Sequence, residues 1–193
     1  SMTAGMSITN NGSVNSGTSN SMTAGSDITN KSLVEAGTTV DFKAKNGTIT
    51  NEKQVSGTNV AMTIENSGNI VNNGAVTAKT DDVNLSTETG NITNTDTVTG
   101  AKNVTMNTKN GKIKVLADVV ATTGNADLEA TTGRVEVGSA AKNVNVNAGS
   151  QVIMKTASTT KSDIEIYGDL SGTKGINLST QVGDIIWHGH GTS

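Results

Sequence analysis

The sequence of 193 residues contains no cysteine and no proline. Without cysteine, the chain has no disulfide framework, no thiolate metal site and no cysteine nucleophile. The absence of proline suits a fold in which nearly every backbone N–H donates a hydrogen bond, because proline has no N–H to donate. Together these absences exclude small disulfide-bonded folds and favour continuous backbone pairing.

Aromatic residues are also scarce, with a single Phe42, Tyr167 and Trp187. A compact globule built around aromatic side chains is therefore not expected. Gly, Asn, Thr and Ser dominate, and the apolar residues are mostly Val, Ile, Ala and Met. Disordered chains are typically poor in β-branched residues and rich in Pro, Lys and Glu. The abundance of Val, Ile and Thr favours strands instead.

The charge pattern argues against two classes of partner. The net charge is −3 and acids and bases are interspersed, so no basic stripe is available for phosphates and no nucleic acid is expected to bind. No apolar run approaches the roughly 20 residues that span a bilayer, so membrane insertion is not expected. No charged and then apolar leader opens the sequence; if the protein is exported, its signal lies outside this segment of a larger protein.

An internal repeat is the strongest signal. Ser1–Gly5 returns unchanged at Ser21–Gly25, and the period is about 20 residues. An Ile-x-Asn motif follows the same rhythm, and a valine trails it by six residues each time. The motif starts at Ile8, Ile28, Ile49, Ile70 and Ile92, with looser forms at Ile113 and Val135, and the trailing positions are Val14, Val34, Val55, Val76, Val98, Val119 and a weaker Ala141.

A third anchor is an apolar-x-apolar pair, whose alternation is typical of strands and not of helices. The pairs are Val83/Leu85, Val104/Met106, Ala126/Leu128, Val144/Val146, Ile164/Ile166 and Ile176/Leu178, with Phe42, Met62 and Ile64 in earlier coils. Each coil is thus predicted to hold three short strands separated by Gly, Asn, Ser and Thr corners. One coil cannot bury its apolar side chains alone, whereas stacked coils bury them continuously.

The sequence therefore predicts an all-β fold, a right-handed parallel β-helix (β-solenoid) with about 20–22 residues and three short strands per coil. Nine or ten coils would form a rod on the order of 45 Å long. The recurring asparagines at Asn10, Asn30, Asn51, Asn72 and Asn94 predict an axial ladder of side-chain amides. We expect a single β-helix segment over 1–193, with regular coils in 1–137 and shorter or irregular coils in 138–193, where 156–173 is a candidate binding feature.

The tandem pattern Val-x-Leu-x-x-x-x-Gly-x-Ile-x-Asn, seen from Val83 to Asn94, resembles the repeat region of filamentous-haemagglutinin-like exoproteins. These are bacterial two-partner secretion adhesins, and similar stalks present toxins in contact-dependent inhibition. The resemblance implies a secreted or cell-surface location, an outer-membrane secretion partner acting on the full-length protein, and a surface receptor or glycan on a host or neighbouring cell. It supplies no functional residues, and neither a secretion domain nor a toxin domain is visible.

Several clusters offer sites for other chemistry. The adjacent acids Asp81 and Asp82 are the only such pair and would serve a polysaccharide-cleaving β-helix, although a solvated corner is the simpler interpretation. Lys109, Lys112, Lys114 and Arg134 fall on successive coils and would form a small basic patch or a solvated face.

The carboxy-terminal stretch contains the two histidines of the chain, His188 and His190, which would share a metal with Asp184 if all three faced one side. Trp187 is expected to shield the end of the stack. The Thr9, Thr29, Thr50 and Thr93 column is one residue wide and so falls short of an ice-binding array. We predict no enzymatic activity, no catalytic, cofactor-binding or metal-binding residues and no cofactor. The predicted role is a structural stalk or adhesin segment; a toxin stalk and a polysaccharide-binding or polysaccharide-cleaving β-helix are the alternatives.

Overall fold

The computed structural model describes all 193 residues, which form strands and turns and no helix. The strands make three parallel sheets of nine strands each, and every turn of the chain contributes one strand to each sheet. The predicted parallel β-solenoid with three short strands per coil is confirmed. No part of the chain forms a helix of the length and apolarity needed to cross a membrane.

Sheet A holds the longest strands. It contains β1 (Met2–Ala4), β4 (Asn20–Ala24), β7 (Thr39–Asn46), β10 (Asn59–Ser67), β13 (Val83–Thr89), β16 (Val104–Asn110), β19 (Ala126–Ala130), β22 (Gln151–Thr156) and β25 (Gly175–Thr180).

Sheets B and C consist of very short strands. Sheet B contains β2 (Ile8–Asn10), β5 (Ile28–Asn30), β8 (Ile49–Asn51), β11 (Ile70–Asn72), β14 (Ile92–Asn94), β17 (Ile113–Val115), β20 (Val135–Val137), β23 (Ile164–Ile166) and β26 (Ile185–Trp187). Sheet C contains β3 (Val14–Ser16), β6 (Val34–Ala36), β9 (Val55–Gly57), β12 (Val76–Ala78), β15 (Val98–Gly100), β18 (Val119–Ala121), β21 (Val146–Ala148), β24 (Leu170–Gly172) and β27 (Gly191–Thr192). We number the coils 1 to 9, so that coil 1 is β1 to β3.

Inward-facing side chains stack in columns because each strand pairs in register with its equivalents in the neighbouring coils. Ile70 pairs with Ile49 on one side and Ile92 on the other, and all three are fully buried. Sheet C repeats this with valine, and sheet A with Met, Phe and Leu. The result is one continuous cluster of 40 buried apolar residues, which stabilises the rod without the aromatic anchors of a globule.

The predicted asparagine ladder is confirmed in sheet B. From Asn10 through Asn30, Asn51 and Asn72, each Nδ2 donates to Oδ1 of the asparagine in the next coil, with N···O distances of 2.7 to 2.8 Å, and the last acceptor is Asn94. All five side chains are buried. A buried amide without partners is costly, so the ladder makes a polar column compatible with an otherwise apolar interior.

The ladder ends at coil 5. In coil 6 the equivalent position is Val115, which pairs with Asn94 and offers no acceptor. Asn94 Nδ2 is accordingly a buried donor without a hydrogen-bond partner. Beyond it the column is apolar, with Val137 and Ile166 in coils 7 and 8.

A second polar column, which the sequence analysis did not predict, lies at the corners. Many strands are preceded by Asp or Asn, and its Oδ1 accepts a hydrogen bond from the backbone N–H of the equivalent residue one coil later. Donor to acceptor, these bonds are Thr48 to Asp27, Asn91 to Asn69, Lys112 to Asn91, Asn103 to Asp82, Asn125 to Asn103, Gln151 to Asn125, Asn145 to Asp118, Asp184 to Asp163 and His190 to Asp169, at 2.7 to 3.1 Å. They occupy N–H groups that the sheets leave free at each bend.

Glycine is required where coil backbones touch at the corner after sheet A. Gly90 has a φ of 142°, and a Cβ on it would lie 1.9 Å from the carbonyl oxygen of Gly68. Gly111 stacks on Gly90 in the same way. A larger residue would separate adjacent coils at this corner and disturb the register of the strands that follow.

The coils of 138–193, which the sequence predicted to be shorter or irregular, are irregular but not shorter. The coils after residue 137 lengthen instead of shortening: Leu85 pairs with Met106, but Leu128 pairs with Met154, 26 residues later. One insertion, 138–143, lies between β20 and β21, and a second, 157–162, lies between β22 and β23. All three sheets nevertheless continue to coil 9.

Three anchors in this region were misassigned. Ala141 is exposed in the first insertion, and the partner of Val119 in sheet C is Val146. Val144 and Val146 are therefore not the sheet A pair of their coil, and Ile164 and Ile166 belong to sheet B. The error arises because an apolar-x-apolar pattern is common to all three sheets, so an insertion hides which sheet a strand joins.

Removal of one whole coil is expected to leave the fold intact. Deleting 49–69 joins Thr48 to Ile70, so that β5 and β6 of coil 2 meet β11 and β12 of the former coil 4, and β7 meets β13, with like residues in contact. We expect a β-type circular dichroism spectrum and a cooperative melt. The control variant deletes 49–58 and so joins one sheet A strand directly to the next. This variant should lose the cooperative melt. Equal melting of the two variants would contradict the stacking register.

The orphan amide of Asn94 gives a second prediction. Val115→Thr places a hydroxyl acceptor beside Asn94 Nδ2, whereas Val137→Thr buries the same hydroxyl one coil later, next to no amide. A buried hydroxyl without a partner costs about 1–3 kcal/mol. We expect Val115→Thr to be less destabilising than Val137→Thr by roughly 1 kcal/mol in urea unfolding. Equal losses would show that the Asn94 amide gains nothing from the new acceptor.

Candidate functional site

The acidic pair Asp81 and Asp82 is engaged in coil stacking. Asp81 forms an ion pair with Lys102 in the next coil. Asp82 Oδ1 accepts hydrogen bonds from both the backbone N–H and the side-chain Nδ2 of Asn103, each at 2.9 Å. The two carboxylates thus point to separate structural partners, which supports the corner interpretation over a catalytic pair.

Three of the four basic residues of the candidate basic patch are paired with acidic side chains. Lys109 pairs with Glu88 at 2.7 Å, and Lys114 lies 3.8 Å from Glu136. Arg134 bridges Glu136 and Asp163, at 2.9 and 3.3 Å. These ion pairs mostly join adjacent coils, so the alternation of acid and base reflects charge pairing along the rod.

The carboxy-terminal histidines and Asp184 point to different partners. His188 stacks on Tyr167 with ring centroids 4.3 Å apart, His190 Nδ1 lies 3.4 Å from Asp169, and Asp184 pairs with Lys161 at 2.8 Å. No group of three His, Asp or Glu residues is arranged to hold a metal ion. Trp187 packs against the core of the last coil, and its Nε1 donates to Gly168 O at 3.0 Å, which agrees with its expected covering role.

Two carboxyl groups on the outer face of sheet A have altered titration. Partial burial raises the pKa of Asp41, and burial together with repulsion from Glu129 raises the pKa of Asp127. The two residues lie four coils apart along the sheet. They are too far apart to act as a paired acid and base.

The outer face of sheet B changes character along the rod. In coils 1 to 5 its central position is filled by small uncharged side chains, namely Thr9, Thr29, Thr50, Val71 and Thr93. In coils 6 to 8 the same position is held by Lys114, Glu136 and Glu165. The change begins one coil before the first insertion.

Both insertions border this charged part of sheet B. The first is a tight hairpin in which Ser139 and Lys142 exchange backbone hydrogen bonds of 2.9 Å. Tyr167 holds it in place, because its N–H donates to Val137 O at 2.7 Å and its carbonyl accepts from Val144 N at 2.9 Å. A glycine, Gly138, begins the hairpin with a φ of 72° and leaves no space for a Cβ beside the Tyr167 carbonyl.

The second insertion precedes its sheet B strand, whereas the first follows its own, so the two lie at opposite ends of the strands. Hydroxyl groups hydrogen-bond the second insertion to the rod. Thr156 Oγ1 donates to Ser162 O at 3.1 Å, and Ser162 Oγ donates to Thr132 O at 3.2 Å. Ser158 is also buried, and its hydroxyl lies 3.0 Å from that of Thr160. The expected binding feature at 156–173 is therefore raised only in part, because Ile164, Ile166 and Leu170 are core residues.

Three clefts meet on this face, and we call them together the sheet B groove. They have volumes of about 190, 240 and 320 Å³; the first and second share Lys114 and Glu136, and the second and third share Lys112. The first is lined by the hairpin, Glu165 and Tyr167; the third is lined by the second insertion and Arg134. One further cleft, on sheet C between Glu35 and Lys79, lies far from both insertions and has no aromatic lining.

The corner carboxylate offers a stability test that separates the two acids. Asp82→Ala removes the acceptor of two Asn103 donors, so we expect a loss of about 1–2 kcal/mol in the free energy of unfolding. Asp81→Ala breaks only an exposed ion pair, which is worth about 0–1 kcal/mol. Chemical denaturation of both variants measures the difference, and a larger loss for Asp81→Ala would contradict the assigned roles.

Comparison of the sequence with known protein families and curated proteins, and of the chain with solved structures, finds no match. The function is therefore inferred from the geometry of the rod and its outer faces.

Proposed function

We propose that the chain is a stalk or adhesin segment of a secreted bacterial surface filament, which mediates or presents adhesion. The observation that carries this proposal is the continuity of three parallel sheets over nine coils. Almost every inward position is used to stack one coil on the next. Such a chain adds length in equal steps, which suits a spacer between a cell surface and a contact point.

The outer surface supports the same role. Cross-coil ion pairs such as Lys43 with Glu65 and Lys155 with Glu129 keep the faces charged and nearly neutral overall. Mixed surface charge keeps a long rod soluble and limits lateral association. The resemblance to filamentous-haemagglutinin-like repeats supports export with an outer-membrane partner, and a toxin stalk would use the same rod in the same way.

The spacer role predicts a stiff rod whose length follows the number of coils. Asn11 and His188 occupy equivalent corner positions in coils 1 and 9, linked by a chain of backbone bonds from each coil to the next. Because the chain has no cysteine, Asn11→Cys and His188→Cys give two unique sites for spin labels. We expect one narrow distance distribution centred at about 40 Å, and a shortening of the mean distance by about 5 Å when 49–69 is deleted.

Pulsed electron resonance spectroscopy measures both quantities in the intact chain. Pairing Asn11→Cys with Thr95→Cys, at the equivalent position in coil 5, provides an internal reference for the rise per coil. A broad distribution, or no shortening after the deletion, would contradict the spacer role.

A further inference from the structure

The sheet B groove has features that a spacer does not need. The coils before it repeat with little variation, and the two insertions of the last third flank one face of one sheet. Insertions that raise walls on both edges of the same face form a concave surface on an otherwise convex rod. Concave sites with a few converging polar groups are the usual location of ligand binding.

The lining of the groove alternates hydrogen-bond donors and acceptors. Lys112 and Lys114 supply ammonium donors, Glu136 and Glu165 supply carboxylate acceptors, and Ser139 supplies a hydroxyl group. Glu136 and Glu165 are paired in register on adjacent strands, so their side chains project side by side. This mixture suits a ligand with many hydroxyl groups, which donate and accept within a short distance.

An aromatic surface stands at one end of the groove. Tyr167 lines the cleft, and its ring is stacked on the exposed His188 ring with an interplanar angle of 13°. The Tyr167 hydroxyl donates to Glu165 at 2.9 Å, which fixes the ring beside the carboxylates. A fixed aromatic ring next to polar groups provides both an apolar face and hydrogen-bonding edges.

The charges of the groove distinguish between classes of ligand. The lining holds four basic residues, Lys112, Lys114, Arg134 and Lys161, and three acidic ones, Glu136, Glu165 and Asp163. Three of the bases are already paired with acids, so the groove has no large excess of positive charge to attract a polyanion. The lining has almost no apolar side chain that would anchor a protein partner. An uncharged ligand that is rich in hydroxyl groups and has an apolar ring face fits these constraints.

We propose that the sheet B groove binds a neutral saccharide chain, which lies along the rod axis over coils 5 to 8 with one sugar ring against Tyr167. This inference deepens the adhesive part of the proposed function and names its ligand class. It is a binding site and not a catalytic one, because Arg134 and Lys114 hold Glu136 in ion pairs and Glu165 accepts from Tyr167.

The test is titration of the whole chain with neutral hexasaccharides of glucose, mannose, galactose and xylose, followed by calorimetry and by a glycan array. A heparin-derived hexasaccharide serves as the anionic comparison. We expect at least one neutral hexasaccharide to bind with a dissociation constant of about 1 mM or below. We expect no release of shorter sugars. Tyr167→Ala should weaken that binding roughly tenfold, and Glu165→Gln should also weaken it.

Three variants keep the result interpretable. Tyr167→Phe retains the ring and should bind within about threefold of the unmodified chain, which separates loss of the ring from loss of folding. Thr50→Ala, on sheet B in coil 3, and Lys79→Ala, in the sheet C cleft, should bind as the unmodified chain does. Circular dichroism of every variant checks that the coils remain stacked.

The proposal is overturned if no neutral hexasaccharide binds, if only the heparin-derived hexasaccharide binds, or if Tyr167→Ala and Glu165→Gln bind as the unmodified chain does. Cleavage of a hexasaccharide would replace a binding site with a catalytic one. None of these outcomes affects the spin-label distances, so failure of the saccharide site and failure of the spacer role are distinguishable.

Discussion

The backbone hydrogen bonds between coils are the interaction on which the rest of this structure depends. They run along the rod axis and place each residue directly above its equivalent in the preceding coil. Every side chain therefore meets a side chain of the same phase, and a residue that stacks well on itself is favoured at each position. Columns of Ile, Val and Asn follow directly from this constraint, since aliphatic groups pack on like groups and amides bond to like amides.

The same constraint explains how buried polar groups are accommodated. The amide of Asn51 receives a hydrogen bond from Asn30 and donates one to Asn72, so the ladder satisfies it on both sides. At the corners Asn103 accepts from Asn125 while its own N–H is bonded to Asp82. Where the column changes chemistry, at Asn94 and Val115, a donor is left without a partner. A repeat of this kind tolerates polar residues only as long as the column continues.

Functional features on such a rod must come from departures that leave the register intact. The insertions 138–143 and 157–162 do so, because each lengthens a corner while the strands on both sides still pair with their equivalents. The sheet B groove arises between them without disturbing the core. Its charged column of Lys114, Glu136 and Glu165 replaces threonine at outward positions only, so the inward positions continue to stack.

The sequence by itself determined the fold class, the three strands per coil and the asparagine ladder, because each depends on one residue type recurring at one phase. The corner hydrogen bonds are equally regular in the sequence, because Asp or Asn precedes the first buried residue of many strands. The recurrence of these residues at that position was a signal that could have predicted the bonds. Only the tertiary structure decided the path after Val137, because Val144, Val146, Ile164 and Ile166 fit the pattern of any sheet. It also decided the sheet B groove, since Lys114 lies two coils before Glu165 and Tyr167 and comes close to them only when those coils are stacked.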